Sequence, residues 1–555
     1  MHKRSLLQAV ALGATVAVMS SSSLLAQVAL SGKVTSAEEG AMEGVLVSAK
    51  KEGGTITITV VSDASGQFSF PASKLGPGKY AISIRAIGYD LQGPQSVELA
   101  GDKGASADIK LVKAKDITRQ LSNGEWIMSV PGSPQQKLSL LNCVSCHTLE
   151  RIVKSSYDVD GFATQILPRM GSYANQSIPL HAQKRKATRL LEERGDSLAQ
   201  ARKRQAEFLS SINLSEAGGW EYDLKILPRP KGAGTKVIYT EYDLPRSTIE
   251  PHDVVVGADG NAYYSNFGEQ TFGYIDPKTG AHTEIAMPEL KKTWPTGMLG
   301  LRPDKDGNMW LGMMYQGAIG KVDLKDKKVT TWSMPPEMNK DQTQVNMVRA
   351  EKSHVDGKVW SQNNGFAAIH RLDLKTGQIE SLEPFKAAGV GETHNIYDII
   401  PDSKNNAYFT DIAAEYIGKV DRDTMKVTLF QMPKKPAGPR RGMMDEQDRI
   451  WFGEYRGNRI GMFDTKTETF KEWDLPTPWS NPYDVAFDKN EHAWTGSMIN
   501  DRVVRLDTKT GQFTEYLLPK TTNIRRVFVD NTTTPPTFWV GSNHGANIIK
   551  LETLD

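Results

Sequence analysis

From residue 236 to the C-terminus the chain repeats itself, and a repeat of this kind restricts the fold before any single residue does. Each unit carries a turn such as Asp259-Gly260-Asn261 or Asp306-Gly307-Asn308 and then a strand built around aromatic residues. A further strand such as Ile319-Gly320-Lys321-Val322-Asp323 follows, and a Lys-Thr-Gly turn closes the unit. The aromatic strands centre on Tyr263-Tyr264, Trp310, Trp360, Tyr408-Phe409, Trp451, Trp494 and Trp539, seven in all. A period of roughly 40 to 50 residues with four short strands per unit is that of β-propeller blades. The last unit ends early, so Val237 to Tyr242 is expected to supply its outer strand and close a seven-bladed ring over residues 230–555. An open solenoid is the alternative, and it would not need a strand taken from the start of the region.

The first 229 residues are too many for one small core and divide by composition. Met1-His2-Lys3-Arg4 is a basic head, Leu6 to Met19 an apolar stretch too short for a bilayer, and Ser20 to Ala26 a run of small residues. Residues 1–26 therefore read as a secretory signal peptide, which places the mature chain in the periplasm of a Gram-negative-type cell with no retained anchor. Period-2 alternation broken by Gly, Asp and Pro over residues 27–114 indicates a small β-sandwich. Residues 115–229 change to helical spacing, and the Pro- and Gly-rich 228–234 stretch reads as a linker. The expected architecture is mainly β: an N-terminal sandwich, a small α-helical domain and the propeller.

With 67 basic against 65 acidic residues, the formal net charge of +2 favours no polyanionic partner, and no basic face interleaved with aromatics suggests nucleic acid. The chain holds two cysteines, both in Cys143-Val144-Ser145-Cys146-His147. This is the C-x-x-C-H haem attachment signature. Two thiols one helical turn apart add across the two vinyl groups of one haem, and the adjacent imidazole reaches the iron. Zinc is disfavoured, because no other cysteine completes a tetrahedron. Cys143, Cys146 and His147 are thus expected to hold one covalent haem c. Met170, in Leu167-Pro168-Arg169-Met170, resembles the distal methionine of small class I cytochromes c; His181 is the rival ligand, and an open iron is a third option.

Inner strands of a propeller converge on a central channel, where function gathers. Aligning the units on their aromatic strands brings together Pro251-His252-Asp253, Pro295-Thr296-Gly297, Asn346, His394-Asn395, Pro439-Arg440-Arg441-Gly442, Pro482-Tyr483-Asp484 and Arg525-Arg526. These make a polar, cationic mouth suited to carboxylates or phosphates. His252 and Arg441 are the first candidates for chemistry, and a network of mutually satisfied polar groups is the bland alternative.

Two resemblances add to this reading. The stretches Gly66-Gln67-Phe68-Ser69-Phe70 and Gly78 to Tyr89 resemble the carboxypeptidase regulatory-like module, an accessory domain without catalysis. The Asp-Gly-Asn-x-Trp repeat, best seen at Ile450-Trp451-Phe452-Gly453-Glu454, resembles the streptogramin B lyase (virginiamycin B lyase) family of seven-bladed propellers. That resemblance implies lactone opening by elimination, with a histidine base, acidic side chains and a magnesium ion. Glu454 stands where the family's blade glutamates fall, and His252 or His394 resembles its histidines. Asn266, Gln362, Asp411 and Ser497 replace the glutamate in other blades, which departs from a complete lyase site.

Three functions follow as expectations. The first is a redox protein passing electrons through the haem, with the propeller binding a small anionic substrate or a redox partner protein. The second is a lyase or hydrolase whose haem domain is accessory, and the third a non-enzymatic binding scaffold.

Overall fold

The computed structural model describes residues 28–100, 104–145, 147–171, 195–214, 222–391 and 393–555. The expected leader, Cys146 and His181 lie outside the described residues. Among those described, no helix is long and apolar enough to cross a membrane.

Six separate four-stranded antiparallel sheets follow one another from Pro251 to Leu517, and a seventh is formed by Ile524–Asp530, Thr537–Ser542, Asn547–Thr553 and Val237–Asp243. The strand Val237–Asp243 pairs antiparallel with Asn547–Thr553 from Val237↔Thr553 to Asp243↔Asn547, so the start of the region completes its last blade. The repeated motif has a local physical cause. In blade 2 the Asp304 carboxylate accepts the backbone N–H of Asp306 and Asn308 and the indole N–H of Trp310 at 2.9 Å. Asp445 does the same for Trp451 at 2.9 Å, and Asp488 for Trp494 at 2.7 Å. Each aspartate therefore ties the turn to the buried aromatic six residues on. The glycine of the next strand lies opposite the blade's aromatic: Tyr264↔Gly273, Phe409↔Gly418 and Phe452↔Gly461. A Cβ on Gly418 would meet the Phe409 ring at 1.9 Å, so only glycine fits beneath it.

The N-terminal β domain continues the propeller. Its strand Ile56–Val61 pairs with the other edge of Val237–Asp243, from Ile238↔Val60 to Tyr242↔Ile56, giving one eight-stranded sheet. An outer propeller edge that would template unwanted pairing is covered in this way. Leu46 and Val61 share the blade-7 core, and Arg85 donates to the Leu518 carbonyl at 2.7 Å and to Asp501 at 2.6 Å.

Between these parts lie short helices. Ser122 caps Asn123–Ser129 in a reciprocal box with Glu125, and Ser133 caps Pro134–Ser139 likewise with Gln136. Their core holds Trp126, Ile127, Leu140, Cys143, Val144, Leu149 and Val153, closed by Ala206, Phe208 and Leu209 of the helix Gly195–Ser211. The same core includes Tyr397, Tyr455, Tyr483, Met498 and Ile499 of the propeller, so the helical segment packs over blades 4 to 6.

Candidate functional site

Six of the seven inner strands are bulged at one position, between Pro251 and Val254, Val345 and Val348, Ile396 and Asp398, Pro439 and Gly442, Pro482 and Val485, and Ile524 and Val527. A bulge re-aims the side chains it carries. Here the pairs are His252-Asp253, Asn346-Met347, Tyr397-Asp398, Arg440-Arg441, Tyr483-Asp484 and Arg525-Arg526, and the members that bear chemistry form two layers.

The layer beneath the helical segment is aromatic and hydrogen-bonded in a chain. The His252 Nδ1–H donates to Asp253 at 2.7 Å, which leaves Nε2 to accept from the Tyr483 hydroxyl at 3.3 Å. Tyr483 in turn lies 3.1 Å from the Tyr397 hydroxyl, which accepts from Arg440 Nη2 at 2.6 Å. The Arg440 guanidinium stacks on the Tyr397, Tyr455 and Tyr483 rings at 4.5, 4.3 and 3.9 Å. Burial holds His252 down at about 3, with the Arg441 and Arg525 charges adding to the effect against its bond to Asp253. The imidazole is therefore neutral. Burial alone would raise the Tyr397 phenol, but Arg440 and Arg441 outweigh it and hold the group below the usual phenol range.

The second layer is an ion-pair lattice. Arg349 donates to both oxygens of Asp398 at 2.9 and 2.8 Å, and Arg526 lies 3.1 Å from Asp484 and 3.5 Å from Asp398. Burial and the neighbouring Asp398 charge push Asp484 up to about 7 against the pull of Arg302. Arg441 comes only within 3.7 Å of Asp253, and none of its three nitrogens has a hydrogen-bond partner among the described residues.

The other expected site residues lie elsewhere. His394 precedes its inner strand, and the bulge register makes Tyr397-Asp398 the counterpart of His252-Asp253. Its ring stacks on Phe385 at 3.5 Å and bonds Asp411 at 2.7 Å. Glu454 ends a second strand and accepts from Arg459 at 2.7 Å; burial, together with Glu472, raises its carboxyl. Asn266, Asp411 and Ser497, which also end second strands, accept backbone N–H groups of the following turns. Blade-end polarity is largely a turn-capping device. Among the described residues no group of three or more His, Cys, Asp or Glu is arranged to hold a metal ion, and arginines interleave the channel acids, so the channel does not fit magnesium.

The C-x-x-C-H segment meets the propeller at its mouth. Arg525 Nη2 donates to the Ser145 carbonyl at 2.8 Å, and Asn523 Nδ2 to the Val144 carbonyl at 3.4 Å. His544, which the sequence reading did not single out, lies beside this contact, and burial with the Arg525 and His147 charges holds it down at about 3. Cys143 is buried in the helix Leu141–Val144. His147 directs Nδ1 to the Thr148 carbonyl at 2.9 Å, and burial holds the ring below the usual histidine range. Met170, half-buried, packs against the core that contains Cys143.

Fold and site together define a seven-bladed propeller with a β domain joined to its edge and a helical segment docked on its mouth. The description "Virginiamycin B lyase family" matches residues 233–506 and 393–554, and "Carboxypeptidase regulatory-like domain" matches 29–112. The first match spans more than half of the chain, which therefore belongs to the virginiamycin B lyase family. Among solved structures, selenomethionine-substituted virginiamycin B lyase from Staphylococcus aureus is 21% identical, covering 57% of this chain and 100% of its own at a TM-score of 0.49. A catalytically inactive virginiamycin B lyase from the same organism with quinupristin is 22% identical, with the same coverages and TM-score. The extracellular domain of a putative one component system from B. thetaiotaomicron is 15% identical, covering 55% and 41% at 0.42. No curated protein matches the chain.

Proposed function

We propose that the chain is an exported, periplasmic c-type cytochrome in which one haem is attached through Cys143 and Cys146, with His147 as its proximal ligand and Met170 as the second. When bound, the haem would supply one-electron redox chemistry. The residues present fit such a group. Cys143 lies in an apolar core, His147 is oriented through Nδ1 so that Nε2 is left for iron, and Met170 borders the same core. Orientation of a ligating histidine by a carbonyl is a usual outer-shell device.

The observation that carries the reading is the docking of the attachment segment, held by Arg525 and Asn523 over the aromatic layer of the channel. This placement supports a redox role in which the propeller presents a small anionic substrate, or a partner protein, to the helical segment. An elimination enzyme transfers no electrons and has no use for such an arrangement.

A second reading, a lyase or hydrolase with an accessory haem domain, is favoured by the family itself and by the buried His252–Asp253 pair. The two are separated by following haem absorbance while small carboxylates and phosphate esters are added. Reduction of the haem that is lost in His147→Ala supports the redox reading. Full turnover in His147→Ala contradicts it and selects the lyase.

A further inference from the structure

The inner strands place five buried arginines, Arg349, Arg440, Arg441, Arg525 and Arg526, against three buried aspartates that contact them. The distribution is uneven. Arg349 and Arg526 are ion-paired, Arg440 bonds Tyr397 and stacks on three rings, and Arg525 bonds the Ser145 carbonyl. Arg441 is fully buried, approaches Asp253 only at 3.7 Å, and leaves Nε, Nη1 and Nη2 without hydrogen bonds among the described residues. A guanidinium in that state is expensive, because a buried charge is tolerated only when its donors are satisfied. The faces of Tyr397 and Tyr483 stand 5.3 and 5.1 Å from its central carbon, and the His252 relay runs alongside.

We propose that Arg441 anchors an anion site in the propeller channel that takes a small oxyanion, either the carboxylate of an organic molecule or free inorganic phosphate. A planar fork of unsatisfied N–H donors matches two oxygens of one group, a match that a lone halide cannot make. The same excess of positive charge explains the behaviour of Tyr397, whose phenol is held low by Arg440 and Arg441 against the effect of its burial. This site rests on the reading of the channel as the propeller's binding surface, and not on the haem.

The test is the thermal midpoint of the purified full chain, titrated separately with acetate, phosphate and chloride at one ionic strength. A ligand of the native state raises the midpoint saturably. Saturation by acetate or phosphate beyond the chloride curve is expected, and the oxyanion with the lower half-point identifies the source. In Arg441→Gln the half-point should move by at least about tenfold, while Arg422→Gln on the propeller surface leaves it in place. Arg441→Lys, which keeps the charge and loses the fork, should weaken the response if the Gln variant does not fold. Identical curves for all three anions, or an unmoved half-point in both Arg441 variants, would overturn the proposal. A colourless preparation that still responds saturably removes the haem reading and leaves this site standing.

Discussion

Where the N-terminal β domain meets the propeller, five consecutive residue pairs of backbone ladder run from Ile238↔Val60 to Tyr242↔Ile56; where the helical segment meets it, side chains reach for carbonyls. The ladder needs little from side-chain identity and holds two sheets as one. The mouth contact has a backbone bond, from Gly124 N–H to the Ile499 carbonyl at 2.7 Å, and a shared apolar core, and to these it adds polar side chains, Asn523 and Arg525, each replaceable by mutation. A join made of backbone suits a passive support, whereas one made of arginine, histidine and tyrosine responds to charge and ligand. This difference is what motivates the proposal that function lies at the mouth, with the edge serving as support.

Breaking the ladder should have the largest effect. Thr240, paired with both Lys550 and Ile58, has no room for an imino ring, so Thr240→Pro should cost about 3 kcal/mol or more and lower the melting temperature of the whole chain. Arg525→Ala should cost roughly 1.5–3 kcal/mol and act locally, because it removes a charged bond to the Ser145 carbonyl. Hydrogen exchange should then rise in residues 122–153 and stay unchanged in the blades; a uniform rise would erase the distinction between the two joins. His252 sharpens the comparison through pH. Its folded value is lowered to about 3 from an unfolded value near 6.5, so its contribution is complete above about 6.5 and is lost as pH falls toward 3. Stability should fall on acidification by at most about 1.4 kcal/mol per pH unit from this site, and His252→Gln should flatten the slope in acid melts. Glu454→Gln should have the smallest effect, under about 1.5 kcal/mol, since the amide still accepts from Arg459 and the neighbouring Glu472 loses a like charge. Loss of turnover in Glu454→Gln with the haem response intact would move the chemistry to the blade end.

The propeller was legible because its signal is local. The Asp304 to Trp310 tie spans six residues, and Gly418 beneath Phe409 is set by one hairpin. Ring closure could be read from the short last repeat, since Val237–Asp243 had no other partner strand in its own unit. The channel was legible in part: aligning blades on aromatic strands found Arg440-Arg441, Tyr483-Asp484 and Arg525-Arg526. It selected His394 in place of Tyr397, because the bulge shifts the inner strand against its neighbour and the aligned sequence does not show it. The Tyr-Asp and His-Asp pairing of the other blades was the signal that would have found Tyr397-Asp398. His544 and Asn523 carried no signal at all. They gain meaning only from a segment nearly 400 residues earlier, with Asn523 and Val144 separated by 379 positions.

The measurement that bears most directly on this account is the pigment of the mature full chain, purified from a host competent in cytochrome c maturation and then denatured and extracted with acid solvent. The expected result is a haem absorbance that stays with the polypeptide at one equivalent per chain and vanishes when Cys143 and Cys146 are both replaced by serine. A colourless chain, or a pigment that washes away into the solvent, would contradict it.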